Sequence, residues 1–151
     1  MGKIVVKFGG SSLADAAQFR KVRDIIRMDP RRCYVVPSAP GRRFPEDEKI
    51  TDLLYQTYRA QRNGENIEPI FRRIRERYLS IAEELGLSFP IARELDEVER
   101  LIREGASEDF CASRGEYLNG LLLADYLGFA FLDPKDLVFF NDDGTFDSER
   151  T

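Results

Sequence analysis

Strand and helix signals alternate at the start of the chain, and this alternation constrains the fold more than any other feature. Residues 3–8 (KIVVKF) are an apolar run ended by Gly9 and Gly10, which is typical of a buried strand. Apolar residues then recur at helical spacing up to Met28, and residues 33–36 are a second short apolar run. A strand, a helix and a strand in this order predict a βαβ unit and therefore a parallel sheet.

The middle of the chain is predicted to be helical, because apolar residues recur at spacings of three and four and glycines follow the periodic stretches. The predicted helices span residues 50–62, 67–85, 90–104 and 107–127. Residues 129–132 and 137–140 are short apolar runs that predict a third and a fourth strand, followed by a turn at 141–144. The whole pattern indicates an α/β fold.

Composition restricts the chemistry that this chain can perform. It has 151 residues, which suggests one domain, and 23 Lys and Arg against 27 Asp and Glu give a formal charge of −4. There is no histidine, which excludes Ser-His-Asp and Cys-His catalysis and every His-containing zinc site. Any catalysis must therefore use lysine, arginine, carboxylates, hydroxyls or backbone amides.

The acidic balance also argues against a nucleic-acid partner. The helix predicted at 67–85 carries four arginines that resemble a nucleic-acid patch, namely Arg72, Arg73, Arg75 and Arg77. We interpret them instead as a solvated helix face paired with the nearby glutamates Glu68, Glu76 and Glu83.

The cysteines and the N-terminus predict a cytoplasmic protein without a membrane partner. Cys33 and Cys111 lie far apart and outside any CxxC pair, so we expect two reduced thiols in the core. The first apolar run ends at Lys7, too early for a signal peptide, and no stretch is long enough to span a bilayer.

The first candidate site is the segment KFGGSS at 7–12. Gly9 and Gly10 allow a sharp turn and a close approach of the backbone to a ligand. The following helix, with Ser12 as its expected N-cap, offers free amides, and Lys7 adds a positive charge. Together they predict a site for phosphate oxygens, although neither GxxxxGK[ST] nor GxGxxG is present. The alternative is a tight turn beside a surface lysine.

Three more residues could converge on this place. Ser38 follows the second strand, at the edge where ligands collect in open α/β sheets. Thr51 lies near a helix start, where its hydroxyl and nearby amides could bind a carboxylate, or it is a plain capping residue. Glu116 follows Gly115 and could accept hydrogen bonds from an ammonium group, or it pairs with a basic side chain such as Arg114.

The motifs KFGGSS (7–12), SAPG...KITDLL (38–54) and SRGEYLNGLLLADYL (113–127), in this order, resemble the aspartokinases of the amino acid kinase family. The resemblance implies a three-layer α/β/α sandwich around a largely parallel sheet. Residues 1–151 would form the N-terminal, aspartate-binding part of its catalytic domain. The family's Pro-Gly-Phe and Arg-Gly-Gly-Ser-Asp segments, its ATP-binding half and its regulatory ACT domains are not found in these residues, so we expect little or no kinase activity from this chain alone.

The resemblance further implies transfer of the ATP γ-phosphoryl group to the side-chain carboxylate of L-aspartate, the first step towards lysine, threonine and methionine. A carboxylate is already ionised at neutral pH, so a chain without histidine lacks no general base. Mg²⁺ and a lysine would neutralise the transferred group. The TDLL and SRGE segments favour aspartate over the glutamate, acetylglutamate, UMP or carbamate of other family members. A folded fragment without catalytic activity is the remaining alternative.

Site roles follow from this resemblance by matched position. The residues assigned to the ATP phosphates are Lys7, Gly9, Gly10, Ser11 and Ser38, with Lys7 also stabilising the transition state. Thr51 would hold the α-carboxylate of aspartate and Glu116 its α-ammonium group. No residue is assigned to a metal, and we expect the full-length protein to be a homo-oligomer.

Overall fold

The computed structural model describes residues 2–151 and combines a two-stranded parallel sheet with five α-helices. The strands are β1 (Ile4–Phe8) and β2 (Arg32–Pro37), and the helices are α1 (Ala16–Arg27), α2 (Ile50–Arg62), α3 (Glu68–Leu85), α4 (Ile91–Arg103) and α5 (Glu108–Leu127). Short 3-10 turns cover Gly10–Leu13 and Pro134–Asp136. We call residues 9–13 the glycine turn and residues 38–49 the β2–α2 loop. The four helices predicted in the middle of the chain are confirmed. Their bounds agree with the spacing of the apolar residues and with the glycines that follow them.

The predicted βαβ unit is also confirmed. β1 and β2, which α1 connects along the chain, are neighbouring parallel strands. Val6 lies opposite Val35, and Phe8 lies opposite Pro37. Both strands therefore end at the same edge of the sheet, which places the glycine turn next to the β2–α2 loop.

The sheet is covered on one face within the described residues. Val6 and Phe8 pack against the helical core, whereas Val5 is 67% exposed and Lys7 and Val36 are exposed beside it. The prediction of a fully buried first strand is therefore wrong for alternate residues. The run is too short for its pattern to distinguish a strand buried on both faces from a strand buried on one.

The helices enclose one continuous apolar core. α2 packs against α3 and α5, α4 packs against the same two helices, and α1 lies on α3. The largest fully buried side chains are Tyr78, Phe19, Phe71, Leu13, Ile50, Leu53, Leu54, Ile67, Ile74, Ile81, Leu95 and Ile102. Each such side chain contributes about 1.5–3 kcal/mol through removal of its surface from water. Among the described residues, no helix combines the length and apolar character that crossing a membrane requires.

The predicted third and fourth strands are not formed. Residues 129–133 lack regular structure, and the second run forms only a single antiparallel bridge, from Phe140 to Phe146, across the predicted turn at 141–144. A strand requires a neighbouring backbone to pair with. Here Phe131 packs instead on α5, with its ring 5.7 Å from that of Tyr117.

The two cysteines are free, as predicted, but they are not both in the core. Cys111 is buried in α5, whereas Cys33 is exposed on β2. Burial raises the pKa of the Cys111 thiol. The short run 33–36 predicted the strand correctly but not which of its residues face the solvent.

This difference in access can be tested directly. We expect Ellman's reagent to modify Cys33 in the native chain and Cys111 only after unfolding, because a buried thiol with a raised pKa is a poor nucleophile. The measurement is the number of thiols that react before and after denaturant is added, with Cys33→Ser as the control. Rapid reaction of both thiols in the native protein would contradict the described packing.

Candidate functional site

The carboxyl ends of the two strands bring the first two predicted motifs together. Phe8 lies opposite Pro37, so the glycine turn and Ser38 leave the sheet side by side. The amide of Ser38 donates to the Phe8 carbonyl at 3.0 Å, and the amide of Gly41 donates to the Gly10 carbonyl at 2.8 Å. The β2–α2 loop therefore lies directly on the glycine turn.

Close backbone contact explains two of the glycines at this place. A methyl group on Gly41 would lie 2.6 Å from the carbonyl carbon of Gly10 and 2.8 Å from the amide nitrogen of Ser11. A methyl group on Gly10 would lie 2.9 Å from the Ala39 carbonyl oxygen. At Gly9, in contrast, no atom of any described residue beyond its own and its two chain neighbours lies within 4 Å of the missing Cβ position. Gly10 and Gly41 thus permit packing, whereas Gly9 leaves open space beside the turn.

Lys7 and the amides of the glycine turn are the candidate hydrogen-bond donors at this end of β1. Lys7 is exposed near the end of β1 and forms no ion pair within residues 2–151. The first hydrogen bond of the glycine turn joins the Ser12 amide to the Gly9 carbonyl at 3.0 Å, so the amides of Gly10 and Ser11 have no partner inside the turn. An ammonium group beside such amides suits a phosphate group.

The start of α1 does not contribute to this arrangement, and the prediction of Ser12 as its N-cap is wrong. The 3-10 turn intervenes, and Asp15 caps α1, its Oδ1 accepting from the Gln18 amide at 2.9 Å. The Asp15 carboxylate already meets the positive end of the α1 dipole. An anion at the glycine turn would therefore not be bound by the N-terminus of α1.

Thr51 lies in the first turn of α2, a helix whose N-terminus carries no side-chain cap. Lys49 occupies the N-cap position, so the alternative of Thr51 as a capping residue is wrong. The first amides of a helix lack intrahelical partners. The half-buried Thr51 hydroxyl and these amides together can receive a carboxylate.

Gly115 explains how α5 joins the other two motifs. A methyl group there would lie 2.7 Å from Ala39 Cβ and 3.6 Å from Ile50 Cγ2, so glycine lets the helix approach the loop and the start of α2. Tyr78 fixes the same turn of α5, since its buried hydroxyl donates to the Gly115 carbonyl at 2.8 Å. The residues in this contact are Ala39, Ile50 and Gly115. They are the chain neighbours of three predicted site residues, namely Ser38, Thr51 and Glu116.

Glu116 is exposed and forms no ion pair within the described part of the chain. Its predicted alternative partner, Arg114, donates instead to Ser113 Oγ at 2.8 Å and lies 4.5 Å from the ring centres of Phe110 and Tyr117. The alternative of an Arg114–Glu116 pair is therefore wrong. Burial raises the pKa of Tyr78, and the nearby negative charge of Glu116 raises it further.

A cavity of about 710 Å³ opens beside Glu116. It lies between β2, α5 and residues 129–140, and Arg114, Tyr117, Gly120 and Phe131 are among its lining residues. A volume of this size is ample for a small ligand. The Glu116 carboxylate is thus free to meet a cationic group from the cavity side.

Asn119 is a site residue that the sequence pattern did not single out. It is buried on α5, one turn after Glu116, and its Nδ2 donates to the Ser38 carbonyl at 2.7 Å. Its Oδ1 is buried without a partner in the described structure. The signal that could have found Asn119 is its place as a polar residue inside the apolar run LNGLLLA. A buried amide is normally hydrogen-bonded, so such a residue is expected to contact a specific partner.

The four arginines of α3 do not form a uniform solvated face. Arg72 pairs with Glu68 as predicted, Arg73 pairs with Glu48 of the β2–α2 loop, and Arg75 bridges to α4. Arg77 differs from the rest, because its side chain is only 4% exposed and pairs with Asp47. The predicted pairing is therefore wrong for Arg73, Arg75 and Arg77, and the predicted exposure is also wrong for Arg77. Its spacing from Ile74 and Ile81, three and four residues, places it on the apolar side of α3.

Within residues 2–151, no group of three His, Cys, Asp or Glu side chains is gathered so as to hold a metal ion.

The parallel pairing of β1 and β2 around the connecting helix α1 defines an α/β protein, with the glycine turn at the carboxyl edge of its sheet. The cavity runs along β2 and α5, and Glu116 is the one candidate site residue among the described residues that lines it. Residues 2–150 match the sequence profile of the amino acid kinase family, and the chain belongs to this family. The predicted fold class is thereby confirmed, with these residues forming an N-terminal part of the family fold.

Three relatives illustrate the likeness. The chain is 37% identical over 147 residues to aspartokinase 3 of Bacillus subtilis, covering 90% of this chain and 32% of that protein. Its structure matches that of Clostridium acetobutylicum aspartate kinase with a TM-score of 0.97 and 47% identity, covering 99% of this chain and 35% of that one. It matches Escherichia coli aspartokinase III, solved with aspartate and ADP, with a TM-score of 0.75 and 27% identity, covering 93% and 33%. The chain thus spans about a third of the length of these relatives.

Proposed function

We propose that this chain is the aspartate-binding, N-terminal part of the catalytic domain of an aspartate kinase. The observation that carries the proposal is the meeting of three separate motifs, through the backbone contact of Gly41 with Gly10 and the contacts of Gly115 with the side chains of Ala39 and Ile50. The likeness to aspartate kinases along nearly the whole chain supports the same conclusion. The proposal includes a cytoplasmic, homo-oligomeric full-length protein without nucleic-acid or membrane partners.

The proposed reaction transfers the γ-phosphoryl group of ATP to L-aspartate. An oxygen of the aspartate side-chain carboxylate forms a bond to the γ-phosphorus, and the bond to the bridging oxygen breaks with its electron pair leaving on ADP. No proton has to be removed from the nucleophile, which accounts for a site without histidine. The product is 4-phospho-L-aspartate.

The phosphate side of the site would consist of Lys7, the amides and hydroxyl of Gly9, Gly10 and Ser11, and Ser38. Lys7 is exposed at the end of β1 and has no competing carboxylate among the described residues, so its charge is available to phosphate oxygens. Mg²⁺ supplies charge neutralisation on those oxygens when it is bound, and Mg²⁺ in kinase sites is held largely by the substrate phosphates.

The aspartate side of the site would consist of Thr51 and Glu116. The uncapped N-terminus of α2 offers amides and the Thr51 hydroxyl to the α-carboxylate of aspartate. Glu116 has no basic partner in residues 2–151 and borders the cavity, so its carboxylate can accept hydrogen bonds from the α-ammonium group.

The proposal is tested by ADP release from the protein expressed from its full reading frame. We expect turnover with L-aspartate, and an acyl phosphate that hydroxylamine traps as the hydroxamate. Glutamate, N-acetylglutamate, UMP and carbamate serve as competing substrates, and preference for any of them would assign a different amino acid kinase. The 151-residue chain alone is expected to show little or no turnover, and robust aspartate-dependent turnover by this chain would refute that expectation.

Glu116→Gln tests recognition of the α-ammonium group. We expect the KM for aspartate to rise about 10- to 100-fold with little change in the KM for ATP, because a hydrogen bond to a charged group contributes about 1.5–3 kcal/mol. Steady-state kinetics provides the measurement. Glu108→Gln, an exposed carboxylate on the same helix, is the control and should leave both constants unchanged. An unaltered KM for aspartate in Glu116→Gln would remove Glu116 from the site.

A further inference from the structure

The β2–α2 loop is irregular, yet its ends are buried. Ala39, Pro40, Gly41 and Asp47 are buried, although residues 38–49 form neither a helix nor a strand. Buried backbone without regular structure needs other hydrogen-bond partners. Backbone groups meet part of this demand, and one side chain of α3, Arg77, donates to the Gly41 and Glu48 carbonyls.

Arg77 joins three segments of the chain. Its Nη1 donates to the Gly41 carbonyl at 2.8 Å and to the Ala14 carbonyl at 3.3 Å, and its Nη2 donates to Asp47 Oδ2 at 2.6 Å. Nη2 also lies 3.4 Å from the Glu48 carbonyl. One guanidinium group therefore connects the residue after the glycine turn with both ends of the loop.

The loop is also closed on itself, through Arg43. The Arg43 Nε and its backbone amide donate to Asp47 Oδ2 at 2.7 and 3.0 Å, and its Nη2 donates to Oδ1 at 3.0 Å. These hydrogen bonds hold the pKa of Asp47 well below its usual range. The Asp47 carboxylate is therefore ionised under all physiological conditions, and the closed loop always presents a negative charge to Arg77.

Gly41 transmits this attachment to the glycine turn. Its carbonyl accepts from Arg77, and its amide donates to the Gly10 carbonyl at 2.8 Å. Arg77 thus holds the turn from two directions, through Gly41 on one side and through Ala14 on the other. We propose that Arg77 is a positioning residue, which fixes the glycine turn and the β2–α2 loop in the geometry that the phosphate groups require. The kinetic part of this proposal rests on the proposed kinase function.

Arginine suits this role better than lysine. A guanidinium group is planar, carries five donors and remains protonated, so it can serve several acceptors at once. A lysine side chain would keep the charge but would lose the two-nitrogen arrangement, in which Nη1 serves Gly41 and Ala14 and Nη2 serves Asp47. The substitution Arg77→Lys is therefore expected to keep the charge and lose the geometry, which makes it the informative variant.

The test uses Arg77→Lys, Asp47→Asn and, as control, Arg72→Lys in the protein from its full reading frame. Arg72 lies on the same helix, is 60% exposed and pairs with Glu68 alone. We expect kcat/KM for ATP to fall about 10- to 100-fold in Arg77→Lys. The reason is that a remote mutation that displaces site residues by about 1 Å can lower the rate by about 100-fold. The Arg72→Lys control should stay within about twofold of the wild type. A merely structural role would lower the melting temperature without changing kinetics below it.

Amide hydrogen exchange gives a readout that does not depend on catalysis. In Arg77→Lys and Asp47→Asn we expect faster exchange at residues 10–14 and 41–48, with α4 unchanged. Wild-type exchange and kinetics in Arg77→Lys would overturn the proposal, and so would uniformly faster exchange in all helices. If Arg77→Lys does not fold, Asp47→Asn decides by the same criteria. If the wild-type protein has no aspartate kinase activity, the proposed function fails, and exchange still decides the role of Arg77.

Discussion

Lys7→Ala is expected to lower kcat for aspartate-dependent ADP release by about 10³-fold or more, as loss of a charge-stabilising group in phosphoryl transfer does. The reason is that no other basic side chain is assigned to the γ-phosphoryl group in the proposed site. The fold should be unaffected, because Lys7 is exposed and forms no ion pair within residues 2–151. Turnover and thermal unfolding, measured on the same preparation, provide the test.

Lys21→Ala is the matched control for this prediction. Lys21 is an exposed lysine on α1, away from the carboxyl edge of the sheet, and its replacement should leave both kcat and the melting temperature unchanged. Wild-type turnover by Lys7→Ala would remove Lys7 from the catalytic machinery. A shared loss in both variants would indicate a general effect of surface charge instead.

Gly41→Ala is expected to have the largest effect on stability among the glycine substitutions near the site. The added methyl group would meet three backbone atoms of Gly10 and Ser11 at 2.6, 2.8 and 2.9 Å, and backbone cannot rotate away as a side chain can. Overpacking of this kind costs about 1–3 kcal/mol of the free energy of unfolding. Urea denaturation followed by circular dichroism measures the loss.

Gly9→Ala is the control for stability, because no atom of any described residue beyond its own and its two chain neighbours lies within 4 Å of its Cβ position and its φ of −74° suits alanine. We expect its free energy of unfolding to stay within about 0.5 kcal/mol of the wild type. Equal stability of the two variants would show that the loop does not rest on the glycine turn.

Most of the fold follows from the sequence for a simple reason. Helices carry their period in the residues themselves, so the bounds of α2 and α5 could be predicted closely from apolar spacing and terminal glycines. Strands depend on partners that the local pattern does not contain. The runs at 129–132 and 137–140 have the composition of strands, but within the described residues no neighbouring backbone pairs with them along their length.

The candidate site was only partly predictable, for a related reason. Gly10 and Gly41 indicate a turn and a loop, but their mutual contact appears only once both strands end at one edge. The charge of Arg77 predicts an exposed side chain, whereas its spacing along α3 indicates the apolar side, where the structure has it. The apolar run around Asn119 predicts burial but does not indicate which group its amide contacts.

The position of Ala39 has a consequence for how this part of the molecule can change in evolution. Its carbonyl lies against Gly10 and its methyl group against Gly115, so segments from the first, second and third motifs share one confined volume. A larger side chain at Gly10, Ala39 or Gly115 is tolerated only if the side chain at another of these positions becomes smaller. Ala39 has only a methyl group that could be removed. Substitutions at Gly10, Ala39 and Gly115 are therefore expected to be coupled, however far apart these residues lie along the chain.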